Sequence, residues 1–180
     1  MQKPEQFKMT VDAVRKMGLD PSSAMFVRGV GGMAGMDPLK WESKVAFSSE
    51  ELGWSEQELM SAFLREPSIM QVSEKKLRRA MDFFVKKMGW GPSFLSKKPE
   101  LLKYSFEQRI IPRCSVFSVL VSKGLVMENP SASFLTINEE KFLNFYVKKY
   151  QYQVPEVLEA YRGNLETLGL KQEMPIVEGS

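Results

Sequence analysis

The sequence predicts an all-α protein in which helical hairpins stack in chain order. Three observations favour this fold class: a glycine-marked repeat of about 35 residues, apolar side chains at helical spacing inside each repeat, and the lack of sustained strand-like alternation over the 180 residues. Each repeat buries a face against the next one, so the expected architecture is an α-solenoid. The sequence leaves its hand, right or left, open.

A glycine stands at the predicted end of each long helix. It lies in Met17-Gly18-Leu19, Leu52-Gly53-Trp54, Met88-Gly89-Trp90 and Lys123-Gly124-Leu125, so successive glycines are 35, 36 and 35 residues apart. Glycine adopts the left-handed conformation that commonly ends a helix at little cost. We therefore expect each of these glycines to lie just past a helix end.

The glycine-rich segment at residues 28–36 comes early in the chain, with Gly29, Gly31, Gly32 and Gly35 close together. No strand precedes it and no Gly-Lys-Ser/Thr closes it, so the sequence excludes a Walker-type phosphate loop. Clustered glycines are typical of connections between elements, and we expect a flexible connector between two helices here.

Short apolar helices are predicted between the longer ones. The predicted ranges are 56–64, 92–96, 131–135 and 155–161. Two of them precede the related segments Arg65-Glu-Pro-Ser-Ile-Met and Lys98-Pro-Glu-Leu-Leu, whose prolines are 32 residues apart. These prolines are a second marker of the repeat.

Longer amphipathic helices complete the repeats. After Ser73, an N-cap residue, apolar side chains recur three and four residues apart, and similar stripes return twice later. The stripes are Leu77, Ala80, Met81, Phe84, Val85 and Met88; Ile110, Cys114, Phe117, Leu120 and Val121; and Leu143, Tyr146, Val147 and Tyr150. Phe83, Phe142 and Phe145 lie off these stripes, as expected for helices packed between two neighbouring repeats.

Pro112 falls ahead of the second of these stripes. A proline in a helix interior removes a backbone hydrogen bond and costs about 3 kcal/mol, so Pro112 either lies in a first helical turn or kinks a helix. A kink at a fixed place in the repeat would curve the stack and give it a concave binding surface.

The composition excludes several classes of catalytic site. The chain has no histidine and one cysteine, so Ser-His-Asp, Cys-His and HExxH sites and an internal disulfide are ruled out. Cys114 lies on an apolar stripe, where we expect a buried and unreactive thiol. No carboxylate pair or activated nucleophile stands out, so we predict a protein that is not an enzyme and uses no cofactor or metal.

One domain is expected over residues 1–162, followed by a polar and disordered tail at residues 163–180. No apolar run approaches the roughly 18 residues of a membrane span, so no membrane is expected among the partners. The first residues have neither the apolar core of a signal peptide nor the character of an organelle presequence, and any targeting segment is expected outside this sequence.

Positive charge is concentrated in the middle of the chain. Residues 65–113 hold twelve basic and five acidic residues, a net charge of +7, whereas the whole chain carries +3 and the remaining residues therefore −4. Exposed lysines and arginines can simply solvate helix faces, or they can bind phosphates. Charge alone supports both interpretations.

The stretch from Pro99 to Arg113 carries a family resemblance. It reads Pro-Glu-Leu-Leu-Lys-Tyr-Ser-Phe-Glu-Gln-Arg-Ile-Ile-Pro-Arg and resembles the repeat Pro-x-Leu-Leu-x-x-Ser-Leu-Glu-x-Arg-Ile-x-Pro-Arg of the mitochondrial transcription termination factor (mTERF) family, with Phe106 in place of the usual leucine. Segments such as Leu52-Gly-Trp-Ser-Glu-Gln-Glu-Leu extend the resemblance over residues 7–161. The chain is similar to plant-type members of that family.

This resemblance implies a half-doughnut of stacked mTERF repeats that binds nucleic acid. It implies work in organelle gene expression, in transcription termination or initiation or in intron splicing, and therefore a location in the mitochondrion or the chloroplast. The expected partners of a monomeric protein are double-stranded DNA or structured RNA, together with other organellar gene-expression proteins. The choice between DNA and RNA, the target sequence and the organelle stay open.

The expected binding site is a concave groove in which lysines and arginines hold the phosphate backbone. By the resemblance, the residues expected to bind come in three ranks: Arg109 and Arg113; then Arg65, Lys98 and Lys103; then Lys75, Arg78 and Arg79. Because these side chains are expected at the surface, reversing Arg109 and Arg113 to Glu should weaken binding and leave the fold intact.

The alternative function is a helical-repeat scaffold that binds another protein without direct nucleic-acid binding. It would use the curved face, or Trp54 and Trp90 as exposed anchors. Basic residues gathered on one face favour nucleic acid, whereas scattered basic residues beside an open apolar patch favour a protein partner.

Overall fold

The computed structural model describes residues 4–34, 36, 38–127 and 131–163. Within these ranges every regular element is a helix and none is a strand, which confirms the predicted all-α fold class. The α-helices are α1 Pro4–Lys16, α2 Ala24–Met33, α3 Pro38–Glu50, α4 Glu56–Arg65, α5 Glu74–Met88, α6 Pro92–Ser96, α7 Ile111–Ser122, α8 Ser133–Thr136, α9 Glu139–Phe142 and α10 Glu156–Arg162. Two 3₁₀ helices, η1 Pro67–Gln71 and η2 Pro99–Lys103, and two π-helices, π1 Phe106–Ile110 and π2 Leu143–Lys148, lie between them.

The chain divides into two compact units, one ending at Lys103 and the other beginning at Tyr104. In the first unit, α2 packs against α4 and η1, and α4 packs in turn against α6 and η2, so successive repeats stack in chain order. In the second unit, α7 packs against α8, π2 and α10. A single domain over residues 1–162 stays a prediction, and residues 164–180 of the expected tail lie outside the described residues.

The four repeat glycines have the backbone conformation that was expected of them. Their φ angles are +89° at Gly18, +66° at Gly53, +66° at Gly89 and +68° at Gly124, all in the left-handed region. The residue after a glycine then turns back onto the helix, as where the Trp90 N–H donates to a carbonyl of α5 at 3.1 Å. The prediction is confirmed, and a further glycine with positive φ follows α10.

The prediction of a flexible connector at residues 28–36 is wrong, because α2 runs through three of its glycines. A Cβ atom added to Gly29 would lie 2.6 Å from Cδ1 of Leu19, and one added to Gly32 would lie 2.8 Å from the carbonyl oxygen of Pro67. The small size of glycine lets α2 pack closely, at Gly29 against α1 and at Gly32 against η1. This packing offsets the conformational entropy that glycine loses in a helix.

The predicted short helices agree with α4, α6, α8 and α10 to within about two residues at each end. Leu77 and Phe84 on α5 are fully buried, as are Ile110 and Leu120 of the next stripe. Cys114 is buried too, and burial raises the pKa of its thiol, so the expected unreactive cysteine is confirmed. Two apolar positions differ from expectation, since Val85 and Phe145 are exposed.

Pro112 is the second residue of α7 and follows directly on π1, so it lies in the first turn of an α-helix. In π1 the Ile110 N–H donates to the carbonyl of Ser105 at 2.9 Å, a span of five residues in place of four. Of the two expected placements, the first helical turn is the one observed, where a missing N–H costs little.

Candidate nucleic-acid interface

Arg113 lies inside the second unit with 1% of its surface exposed. Its Nη1 donates to the carbonyl oxygens of Phe134, Leu135 and Ile137 at 2.9, 3.2 and 2.7 Å. Its Nη2 donates to a carboxylate oxygen of Glu139 at 2.7 Å. Both terminal nitrogens of the guanidinium are occupied within the protein, Nε is buried without a hydrogen-bond partner, and the side chain is not presented to a phosphate.

Arg109 is half-buried and binds the same stretch of backbone. Its Nε donates to the Leu135 carbonyl at 2.8 Å, and its Nη2 donates to the carbonyls of Thr136 and Ile137 at 3.2 and 2.7 Å. The guanidinium also stacks over the ring of Tyr104, 4.3 Å from the ring centroid. Burial, and then the charge of Arg113, lower the pKa of Arg109.

The two arginines ranked first together cap the C-terminal end of α8. The last carbonyls of a helix have no partner within it, and side chains that donate to them satisfy this need. The expectation that both arginines are exposed is therefore wrong for Arg113 and only partly met by Arg109. The fold should therefore not tolerate the reversal of both arginines to Glu, because Glu has no donor for these carbonyls.

The same kind of cap recurs through the chain, and sequence reasoning missed it. Three basic residues, on α3, α5 and π1 and spaced 32 and 33 residues apart, each donate to a backbone carbonyl in the following repeat. The donors and their carbonyls are Lys44 with Val72, Lys76 with Lys103, and Arg109 with Leu135. A basic residue that returns at the repeat period was the signal that could have revealed it.

Arg65 and Lys98, from the second rank, are exposed and lie near the C-terminal ends of two short helices in successive repeats. Arg65 ends α4, and Lys98 follows α6 one residue before η2, so the two are 33 residues apart. Helices α4 and α6 pack against each other. Within the described ranges neither side chain meets a carboxylate, so both charges face solvent.

Lys103, also from the second rank, is committed to an internal cluster of charges. Its Nζ lies 3.1 Å from a carboxylate oxygen of the buried Glu66, which also accepts from Arg28 at 3.0 Å and from Ser68 at 2.6 Å. Burial alone would raise the pKa of Glu66, but the Ser68 and Lys103 hydrogen bonds and the two positive charges outweigh it and lower that pKa. Lys103 therefore contributes little free positive charge.

The three residues ranked third all lie on the first two turns of α5. Lys75 and Arg79 are exposed and four residues apart, so they share one side of the helix. Arg78 is exposed but donates from Nε to Glu51 at 3.1 Å, and this contact raises the pKa of Arg78. Lys75 is the best placed of the three for an outside ligand.

The comparison with protein families decides what kind of chain this is. Residues 2–143 match the model of the mTERF family, which is well over half of the 180 residues. The chain belongs to the mTERF family. The members of this family are helical-repeat proteins that bind nucleic acid in organelle gene expression. Comparison with curated proteins and with solved structures gave no match.

The anchors expected for a scaffold function lie in the core of the mTERF repeats. Trp54 is 2% exposed and donates from Nε1 to the Pro92 carbonyl at 2.9 Å. Trp90 is 5% exposed and stacks on Phe84 with ring centroids 5.4 Å apart. The expectation of exposed tryptophans is wrong, because each indole fills the space after a repeat glycine.

In the described part of this mTERF chain, no helix has the length and apolar character to cross a membrane.

Proposed function

We propose that this mTERF protein binds the phosphate backbone of nucleic acid in the mitochondrion or chloroplast through exposed basic residues of its first unit. The residues that we assign to this contact are Arg65, Lys98 and Lys75. Arg109 and Arg113 are not among them, because both bind backbone carbonyls within the protein. The binding would serve organelle gene expression, in transcription or in RNA processing.

The observation that carries the proposal is the pairing of Arg65 with Lys98. Arg65 ends α4, Lys98 lies two residues past the end of α6, and the axes of helices in contact lie about 8–10 Å apart. Two solvated cations at this spacing can bind phosphates of one strand. Phosphate contacts position a nucleic acid without reading its sequence, so duplex DNA and structured RNA both fit.

The test is a pair of charge reversals with a matched control. The first variant is Arg65→Glu with Lys98→Glu, and the control is Lys8→Glu with Lys16→Glu, which makes the same charge change on exposed residues of α1. Affinity for labelled duplex DNA and for a structured RNA is measured from 50 to 300 mM salt. Each lost phosphate contact should reduce the slope of log affinity against log salt by about 1.

We expect the Arg65→Glu, Lys98→Glu variant to bind more weakly at every salt concentration and to lose about 2 from the slope. The control should keep the wild-type slope. Equal losses in the two variants would mean that binding follows net charge alone, and the assignment to Arg65 and Lys98 would be wrong. Absence of wild-type binding at low salt would contradict the proposed function itself.

A further inference from the structure

The segment from π2 to the turn that follows it carries two aromatic side chains that the fold leaves in solvent. Phe145 is 58% exposed and Tyr152 is 91% exposed. Neighbours of both are buried, Phe142 and Val147 on one side and Val154 on the other. The segment is thus fixed to the core by other residues, and neither exposed ring is needed for that attachment.

Three lysines accompany these rings. Residues 141–155 contain Lys141, Lys148 and Lys149, all exposed, and no Asp or Glu. The preceding Glu139 is occupied by Arg113 and by the hydroxyl of Tyr161. The charged side chains of residues 141–155 are therefore all positive, and the carboxylates on either side are Glu140, which is exposed, and Glu156, which is paired with Lys123.

The backbone places the two lysines between the two rings on one side of this segment. Helical turns continue beyond π2, since the Gln151 N–H donates to the Val147 carbonyl at 2.9 Å and the Val154 N–H to the Tyr150 carbonyl at 2.8 Å. Residues three or four apart in such turns are neighbours, so Lys148 and Lys149 lie between Phe145 and Tyr152. At a helical rise of about 1.5 Å per residue, the seven steps from Phe145 in π2 to Tyr152 in the turns that follow span about 10 Å, which a few nucleotides of a single strand can follow.

We infer that Phe145 and Tyr152, with Lys148 and Lys149 between them, form a binding platform for an unpaired stretch of RNA. Bases stack on exposed aromatic rings and lysines hold the phosphates between them, which is how proteins bind single strands. A duplex hides the faces of its bases, so this platform selects an unpaired strand. Exposed amides at Asn144 and Gln153 supply hydrogen bonds for the 2′-hydroxyl that only RNA has.

This platform is separate from the interface proposed above. It begins after residue 143, where the match to the mTERF family ends, and it lies in the second unit, whereas Arg65 and Lys98 lie in the first. Variants of the platform and variants of Arg65 and Lys98 can therefore distinguish loss of one site from loss of the other.

The experiment measures binding of fluorescein-labelled rU10, which has no base-paired structure, to the full chain across a range of salt concentrations. Phe145→Leu with Tyr152→Leu removes both rings and keeps the charge. Lys148→Gln with Lys149→Gln removes the charge and keeps the rings. Phe145→Trp with Tyr152→Trp keeps the rings, and Phe7→Leu is the matched control, since Phe7 is 51% exposed on α1. Circular dichroism and thermal unfolding confirm that each variant is folded.

The leucine variant should bind rU10 about 5- to 150-fold more weakly for each lost ring, with an unchanged salt slope. The glutamine variant should lose about 1.4 from the slope, as expected for two contacts to a single strand. The tryptophan variant and Phe7→Leu should bind at least as well as wild type. The Arg65→Glu, Lys98→Glu variant should retain most of its rU10 affinity.

Three results would overturn the inference. The first is rU10 binding that the leucine variant keeps in full, since stacking would then play no part. The second is displacement of rU10 by polyglutamate at equal charge concentration, which would mark a site for an acidic protein segment. The third is equal or tighter binding of dU10, which would show that the 2′-hydroxyl is not recognised and that RNA is not the occupant.

Discussion

Arg113 shows that the position of a charged side chain decides what it does. Besides its bonds to three carbonyls and to Glu139, its guanidinium lies 4.6 Å from the centroid of the Phe142 ring. A planar guanidinium offers several donors in a fixed fork, which the single ammonium of a lysine does not. The side chain therefore fixes the position of α8 relative to α7.

Replacing this side chain tests that role. Arg113→Met should lower the free energy of unfolding by about 1–3 kcal/mol, because it leaves the buried Phe134 carbonyl without its side-chain donor, whereas Arg109 still donates to the carbonyls of Leu135 and Ile137. Arg113→Lys should recover only part of the loss. The measurement is urea unfolding followed by circular dichroism. The control Lys123→Met breaks an ion pair with Glu156 in which both side chains are exposed, and it should cost about 1 kcal/mol or less. A loss below about 1 kcal/mol for Arg113→Met would contradict the assignment.

At the scale of one element, α2 is a helix rich in a residue that disfavours helices. Glycine costs about 1 kcal/mol relative to alanine in a helix interior. Gly32 is buried, and a Cβ added there would meet the backbone of Pro67, whereas one added to the buried Gly29 would meet only side-chain atoms of Leu19 and Val14. Gly31 is exposed, with no atom within 4 Å of an added Cβ. Packing therefore requires Gly32 most strictly and leaves Gly31 without a structural reason.

A pair of alanine variants separates these two situations. Gly32→Ala should destabilise the protein by about 1–3 kcal/mol, because the new methyl group meets the backbone carbonyl of Pro67 at 2.8 Å. Gly31→Ala should stabilise it by about 0.5–1 kcal/mol through helix propensity alone. Thermal unfolding of the two variants beside wild type measures both effects. Equal effects in the same direction would show that α2 does not pack as described.

Over the whole chain, positive charge is divided between the fold and the surface. Lys76, Arg109 and Arg113 donate to backbone carbonyls, and Lys103 neutralises Glu66. The net charge of +7 over residues 65–113 therefore overstates what a polyanion can meet. The buried carboxylate of Glu66 binds two of the cations that the fold uses, Arg28 from the repeat before it and Lys103 from the repeat after it.

This carboxylate gives the stability of the protein a dependence on pH. The pKa of Glu66 is lowered in the folded state, so the folded protein binds that proton more weakly than the unfolded chain does. Its stabilisation is complete above the ordinary pKa of 4.5 and is lost as the pH falls through the lowered value. At pH 7, Glu66→Gln should cost about 1.5–3 kcal/mol, the usual worth of hydrogen bonds to a charged group.

The check is thermal unfolding of wild type and Glu66→Gln between pH 7 and pH 3. The gap between their midpoints should be widest at neutral pH and should narrow below about pH 4.5. Glu50→Gln, which removes an exposed carboxylate from α3, should differ little from wild type at pH 7. A gap that stays constant down to pH 3 would exclude the charge of Glu66 as its cause.

The sequence predicts local features well and misses features that depend on distant residues. Gly89 ends a helix because of its own backbone freedom, so a local pattern reveals it. The carbonyls that Arg113 meets are at least 21 residues further along the chain, and no local pattern tells a buried arginine from an exposed one. Gly32 looks like a hinge in sequence, and only the neighbouring Pro67 shows that it is a packing position.

The recurrent backbone caps also give the chain a direction. Each donor, at Lys44, Lys76 or Arg109, belongs to an earlier repeat than the carbonyl that it binds. A ribosome releases the earlier repeat first, so the donor is already in the emerging polypeptide when the helix end that needs it is made. During synthesis, each donor can thus bind the carbonyl of the following repeat as soon as that repeat folds. A chain that refolds from its C-terminal end would leave these carbonyls without their donors until the earlier repeat has folded.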